Sequence, residues 1–204
     1  MTRLYLIRHG QTKWNIESRA QGSKNVELTE EGRNQAVLLA KSMKKYRIDA
    51  IYSSDLDRAY ETAKILGKTM NLEVKKIDGL REMSFGEWEG LTNEEIQRSY
   101  LKDYTVWRNE PHKAIIPGGE KLLEVQKRGL KAIYDIVKEN ENKNIVVVSH
   151  GVIIKSIILG LMDIDLSYFY KIRQDNTCMN VIEYKSYGPV LVTLNNTCHL
   201  ENMK

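Results

Sequence analysis

Two His-Gly pairs, in Arg8-His9-Gly10 and Ser149-His150-Gly151, carry the clearest chemical signal in this chain. An imidazole can attack a substrate, carry a proton or bind a metal, and its neighbours decide which. A single histidine reads as a hydrogen-bonded structural residue. Two, each followed by a glycine that permits a tight turn and close backbone approach, point to a shared site. Arg8 precedes the first pair, and Arg58 closes the run Ser53-Ser54-Asp55-Leu56-Asp57-Arg58 at the start of a candidate helix, whose free amides also favour anions. An arginine there also suits a capping role or a pairing with Asp55 or Glu61. Guanidinium groups grip phosphate oxygens bidentately and stay charged at every relevant pH. Arg8, Arg58, His9 and His150 drawn to one edge would therefore make a phosphate cradle. No acidic or cysteine residue stands at ligand spacing beside either histidine, so a metal site is the weaker reading and no cofactor is expected.

Proton transfer needs a carboxyl group. Three glutamates, Glu82, Glu87 and Glu89, crowd the segment Leu80 to Gly90 together with Phe85 and Trp88. A carboxyl group partly buried beside aromatic rings favours its protonated form and can serve as a general acid. The residues alone do not choose among the three.

The elements that must position these groups alternate as a layered α/β domain does. Leu4 to Ile7 reads as a buried strand, and Ile145 to Val148 is an unbroken β-branched run, as expected for a strand covered on both faces. Ile48 to Ser53 and Leu72 to Ile77 are further candidates. Met179 to Tyr184 and Val190 to Leu194 look like a closing pair joined by the turn residues Gly188-Pro189. Between them, Thr29 caps a helix with Ala36, Leu39, Ala40 and Met43 at core spacing. Leu56, Ala59, Ala63, Leu66 and Met70 form a second stripe, and Leu123, Leu130, Ile133 and Val137 a third. Both His-Gly pairs then fall just past the carboxyl ends of strands, where open α/β sheets collect ligands.

Composition sets outer bounds. The 204 residues, 42% hydrophobic and 28% charged, suit one soluble domain spanning 1–204. A net charge of +4 fits an anionic substrate but argues nothing specific. No basic block is interleaved with aromatics, so nucleic acid is not an expected partner. The apolar segment Gly151 to Met162 contains Lys155 and is too short to span a bilayer, so no membrane association is expected. Cys178 and Cys198 read as reduced thiols, and the expected location is cytoplasmic. His112 and His199, outside the motifs, read as surface residues.

The run Arg8-His9-Gly10-Gln11-Thr12-Lys13-Trp14-Asn15 closely resembles the R-H-G-x-T-x-x-N signature of the histidine phosphatase superfamily, also called the phosphoglycerate mutase-like family. Gln21-Gly22 before Leu28-Thr29, Ser53 to Ala63, Glu82 to Gly90, Pro117-Gly118-Gly119-Glu120 and Ser149-His150-Gly151 follow in the family's order, so the resemblance covers essentially the whole chain. It implies a three-layer α/β/α fold around a central, mostly parallel mixed sheet. It further implies that His9 is the nucleophile, that Glu82 of the L-x-E stretch is the proton donor, and that Arg8, Asn15, Arg58 and His150 bind the phosphoryl group, with Gln21 and Gly22 beside the substrate. Trp14, Ser23, Lys24, Trp107 and Arg108 are further candidates for substrate contact.

The family contains hydrolases and mutases. The mutases carry a longer insert between the acid and the second histidine, with an arginine pair and a proline-rich stretch. Here residues 83–149 hold only Trp107-Arg108 and Pro111 in the corresponding part. The resemblance therefore implies a phosphatase acting on a small phosphorylated metabolite through a phosphohistidine. The alternatives are a cofactor-dependent phosphoglycerate mutase and a weakly catalytic module that binds phosphorylated ligands. Asn25 and Glu27 stand where the family usually has aspartate and proline, and Lys121 where serine is common, so the motifs leave the substrate open, as they do the oligomeric state.

Overall fold

The computed structural model describes residues 1–203. Six strands form one sheet: β1 (Thr2–Arg8), β2 (Ala50–Ser53), β3 (Val74–Lys76), β4 (Asn144–Ser149), β5 (Met179–Lys185) and β6 (Gly188–Asn196). Their spatial order is β3-β2-β4-β1-β5-β6. The first four run parallel, β5 joins β1 antiparallel, and β6 joins β5 antiparallel at the edge. The mixed, mostly parallel sheet of the expected α/β/α fold is thus present.

Seven α-helices accompany it: α1 (Lys13–Ile16), α2 (Glu30–Met43), α3 (Asp57–Met70), α4 (Asn93–Ser99), α5 (Leu101–Asn109), α6 (Leu122–Glu139) and α7 (Gly151–Leu161). Side chains of a strand alternate between faces, and the two central strands use both for core. Leu4, Leu6, Ile145 and Val147 pack with the apolar faces of α6 and α7. Tyr5, Ile7, Val146 and Val148 pack with Leu39, Ala40 and Met43 of α2 and with Ala59, Ala63 and Leu66 of α3. Two cores separated by one sheet make the three layers. Thr29 caps α2 as expected, its hydroxyl accepting the Gly32 amide at 2.9 Å.

Four expectations change. The strands expected over 48–53 and 72–77 shorten to β2 and β3, whose flanking residues leave the sheet. The β5–β6 turn is Ser186-Tyr187, while Gly188 and Pro189 open β6. A proline is tolerated there because β6 is an edge strand and needs no second set of ladder bonds. The buried stripe of α6 is Leu122, Val125, Gly129, Ala132, Ile133 and Ile136, and Leu123 is 48% exposed. Packing against α7 sets this face, with Gly129 against Ile153 and Ile157, and leaves Leu130 and Val137 at its margin, partly buried. Finally, His112 and His199 are half-buried rather than surface groups. The His199 ring meets the Thr177 hydroxyl at 3.0 Å, and burial lowers its pKa to about 4.

Candidate active site

β1 and β4 run parallel with Arg8 opposite Ser149, so the residues that follow them, His9 and His150, emerge at the same sheet edge. Their ring centroids lie 5.2 Å apart. The backbone of His9 is still held as though in the sheet: its amide donates to the Ser149 carbonyl at 3.0 Å and its carbonyl accepts from the Thr177 amide at 3.2 Å. Gly10 is required for a neighbour rather than for a ligand. A Cβ there would stand 2.4 Å from the Gly32 carbonyl oxygen, so the close approach is to the start of α2.

The His9 ring has one defined role. Its Nδ1 lies 2.7 Å from the Gly10 carbonyl oxygen, which can only accept, so Nδ1 carries the proton and Nε2 presents a lone pair. Burial, then the charges of Arg58 and Arg8, hold the His9 pKa well below its ordinary value. The ring is therefore neutral and nucleophilic at neutral pH. His150, the N-cap residue of α7, is wholly buried and is shifted the same way by burial, Arg58, His9 and Arg8.

A cavity of about 190 Å³ opens over His9, walled by Arg8, Asn15, Gln21, Gly22, Arg58, Glu82 and Phe85 among others. Arg58 does not pair with Asp55 or Glu61, which are engaged by Arg81 and Arg33. Its guanidinium turns inward instead and donates to the carbonyls of Gly22 and Lys24, each at 2.8 Å. Arg8 donates to the Gln174 carbonyl at 2.6 Å. Burial lowers the pKa of Arg58 to about 10, which still leaves it charged at pH 7. The Nε atoms of both arginines and both ring nitrogens of His150 are buried without a protein hydrogen-bond partner. Buried donors are normally satisfied, so the two arginine Nε–H groups and the one N–H of a neutral His150, gathered beside this cavity, fit an acceptor-rich anion.

The neutral groups are oriented with the same economy. Asn15 Oδ1 accepts from the Thr12 amide and hydroxyl and from Asn176 Nδ2, at 3.0 to 3.1 Å. That fixes the amide with its NH₂ as the remaining donor. Gln21 Oε1 lies 3.0 Å from the same Thr12 hydroxyl and shares its one proton with Asn15 Oδ1.

The three glutamates separate by position. Glu87 accepts the Tyr100 hydroxyl on the outer surface. Glu89 staples two loops, its Oε1 accepting the amides of Ser23 and Phe85 at 2.8 and 3.1 Å. Glu82 alone of the three lines the cavity, only 9% exposed. The surroundings expected for it from sequence, aromatic rings, are not what holds its carboxyl group. Oε1 accepts the amides of Met83 and Ile153 at 3.0 and 3.2 Å, and Oε2 accepts that of Val152 at 3.1 Å. Glu82 thus bridges its own loop to the first turn of α7, beside His150.

The sequence profile of the histidine phosphatase superfamily, branch 1, matches residues 4–197. The chain belongs to this superfamily. Phosphoserine phosphatase 1 of Hydrogenobacter thermophilus is 38% identical over 200 residues, which are 98% of this chain and 95% of that protein. The crystal structure of a histidine-to-alanine mutant of the Entamoeba histolytica phosphoserine phosphatase, in complex with phosphoserine, superposes with a TM-score of 0.89 at 37% identity. That match covers 98% of this chain and 100% of the other. Bacillus stearothermophilus YhfR gives a TM-score of 0.95 at 33% identity, with the same two coverages.

The cavity of this superfamily member gathers Arg8, His9, Asn15, Gln21, Gly22, Arg58 and Glu82, with His150 directly behind His9. Ser23 and Lys24 are exposed. Trp107 is core, packed edge-to-face with Phe85 and Tyr170 and tilted against Phe169, and Arg108 lies exposed over the Tyr170 ring at 4.9 Å. One supporting segment escaped the sequence reading. Gln174, Asn176 and Thr177 contact Arg8, the His9 carbonyl and Asn15. Antiparallel pairing of β5 with β1, Met179 opposite Ile7, forces residues just before Met179 to lie beside Arg8 and His9. That pairing was the signal available.

Proposed function

We propose that this chain is a phosphoric monoester hydrolase in which His9 attacks phosphorus and forms a phosphohistidine. The observation that carries the proposal is the His9 ring, neutral, locked by Gly10 with Nε2 unprotonated, in a cavity lined by the buried guanidinium groups of Arg8 and Arg58. In the first step a P–N bond forms from Nε2 as the ester P–O bond breaks, and protonated Glu82 gives its proton to the departing alkoxide. In the second, the Glu82 carboxylate removes a proton from water, whose oxygen attacks phosphorus as the P–N bond breaks. Charge developing on the phosphoryl oxygens is met by Arg8 and Arg58, with Asn15 donating through its fixed NH₂ and His150 through a ring N–H.

The substrate is a small phosphorylated metabolite. The names of the relatives make phosphoserine the first compound to try. The chain acts as a single domain. Two free cysteines and the absence, among the described residues, of a helix long and apolar enough to cross a membrane support a cytoplasmic location. The test is a phosphate-release screen in EDTA against phosphoserine, 3-phosphoglycerate and p-nitrophenyl phosphate, with His9→Ala in parallel. Release that survives EDTA and disappears in His9→Ala supports the proposal. Interconversion of phosphoglycerates without phosphate release would replace it with a mutase, and silence on all substrates would replace it with a binding module.

A further inference from the structure

The motif Pro117-Gly118-Gly119-Glu120 and Arg128 take no part in the chemistry above, yet they meet behind the loop that carries Glu82. Arg128, on α6, spends all five of its guanidinium N–H donors there. Nε and one Nη donate to the two oxygens of Glu120 at 2.8 and 2.9 Å. The remaining three go to backbone carbonyls of a four-residue stretch: Gly79 at 3.1 Å, Arg81 at 2.7 Å and Glu82 itself at 3.0 Å. Glu120 passes the hold onward, accepting the Ser84 amide through its side chain at 2.8 Å and donating its own amide to the Ser84 carbonyl at 2.9 Å. Hydrogen bonds from Arg128 and Ser84 outweigh the burial that opposes them and keep Glu120 below its ordinary pKa, so the clamp is an ion pair.

The neighbouring residues fasten the same two segments together. The Glu87 amide donates to the Pro117 carbonyl at 2.9 Å. Gly86 has φ +50°, and a Cβ on it would fall 2.1 Å from that same carbonyl oxygen. The backbone on both sides of Glu82 is therefore fastened to the Pro117–Glu120 turn and to α6, while the carboxyl group reaches the other way to α7.

We infer that Arg128, acting through Glu120, is the positioning residue for the proton donor. The inference rests on the reading of Glu82 as that donor. A displacement of about 1 Å in a reacting group can cost about 10²-fold, and a guanidinium that fixes three consecutive-region carbonyls and one carboxylate controls displacements on that scale. Lysine offers three donors without the planar fork, so it cannot rebuild the clamp.

The experiment compares kcat/KM for an alkyl ester, phosphoserine, with that for an aryl ester, p-nitrophenyl phosphate, in Arg128→Met, Arg128→Lys, Glu120→Gln and Glu82→Gln. This parameter reports the step in which the alcohol leaves. An alkoxide needs a proton to depart, whereas p-nitrophenolate does not. Loss of a positioned acid therefore costs the alkyl ester about 10²-fold and the aryl ester less than about tenfold. A merely structural role would lower both by one factor, through the fraction folded, which circular dichroism measures independently. If Arg128→Met does not fold, Glu120→Gln carries the comparison. Alkyl-selective loss in the clamp variants and in Glu82→Gln is the expected result. Alkyl-selective loss in Glu82→Gln alone overturns the clamp and leaves the acid in place. No selectivity in Glu82→Gln overturns the assignment of the acid, and the clamp's role with it.

Discussion

The nucleophile and the acid are held by opposite means. His9 stands one residue beyond a central strand, and its backbone is bonded on one side to Ser149 and on the other to Thr177. Those are main-chain bonds, which no single side-chain change removes. Glu82 lies in a loop with only two short 3₁₀ turns, Asp78–Leu80 and Gly86–Trp88. Side chains distant in sequence hold that loop: Arg128, Glu120, the Ser149 hydroxyl on the Leu80 carbonyl at 2.7 Å, and Asp55 on Arg81. The sheet gives the nucleophile a redundant mounting. The acid's loop also has main-chain bonds, to Pro117 and Glu120, but its placement leans in addition on these side-chain contacts, each open to loss by one substitution.

The largest expected effect removes the nucleophile itself. His9→Ala lowers kcat by at least about 10⁴-fold on every ester, because no other imidazole lines the cavity among the described residues. Steady-state assays check this. Retention of a tenth of the activity would put the nucleophile elsewhere.

The contrast between the two mountings is sharpened by a matched pair. Asn176→Ala deletes two hydrogen bonds of 3.1 Å, to the His9 carbonyl and to Asn15 Oδ1, while the Thr177 amide keeps its bond to His9 and Thr12 its hold on Asn15. Each net hydrogen bond is worth about 1 kcal/mol, so phosphoserine turnover falls by about 30-fold or less. Arg128→Met deletes five bonds at once, and turnover falls further, by the factor given above. Equal losses in the two variants would erase the distinction.

The smallest effect is electrostatic. His9 is neutral unless the pH falls through its folded pKa, which burial, Arg58 and Arg8 hold well below the ordinary imidazole value of 6.5. An NMR titration of the free enzyme therefore finds the His9 ring protonating well below pH 6.5. Replacing Arg58 by Gln removes one of the opposing charges, and the midpoint moves upward. Because the unfolded chain binds this proton near 6.5, the same shift costs stability as pH falls below that value. A midpoint at or above 6.5 contradicts the description of the site.

Much of this was legible in the residues. Leu4 to Ile7 and Ile145 to Val148 are apolar without interruption because both faces of those strands are covered, and that pattern places His9 and His150 at one sheet edge. Position in the L-x-E stretch separated Glu82 from Glu87 and Glu89 only through the family resemblance. Their physical difference, one in the cavity, one a staple and one outside, depends on how the loop closes. Gln174 to Thr177 and Arg128 were silent because their roles arise from long-range packing: the first from β5 pairing with β1, the second from α6 lying beneath the acid loop. The phase of α6 is ambiguous in sequence because Leu123 and Val137 fit a helical stripe equally well, and only contact with α7 selects the face.

The central claim is a covalent bond between His9 and phosphorus, and Glu82→Gln offers the means to see it. An aryl ester needs no acid to phosphorylate the enzyme, but hydrolysis of the phosphoenzyme needs the base that glutamine cannot supply. Rapid mixing of this variant with p-nitrophenyl phosphate should release one burst of p-nitrophenol per active site and leave phosphate on His9, located by mass spectrometry of peptides kept at neutral or alkaline pH. No burst, or phosphate on any residue other than His9, would contradict the account.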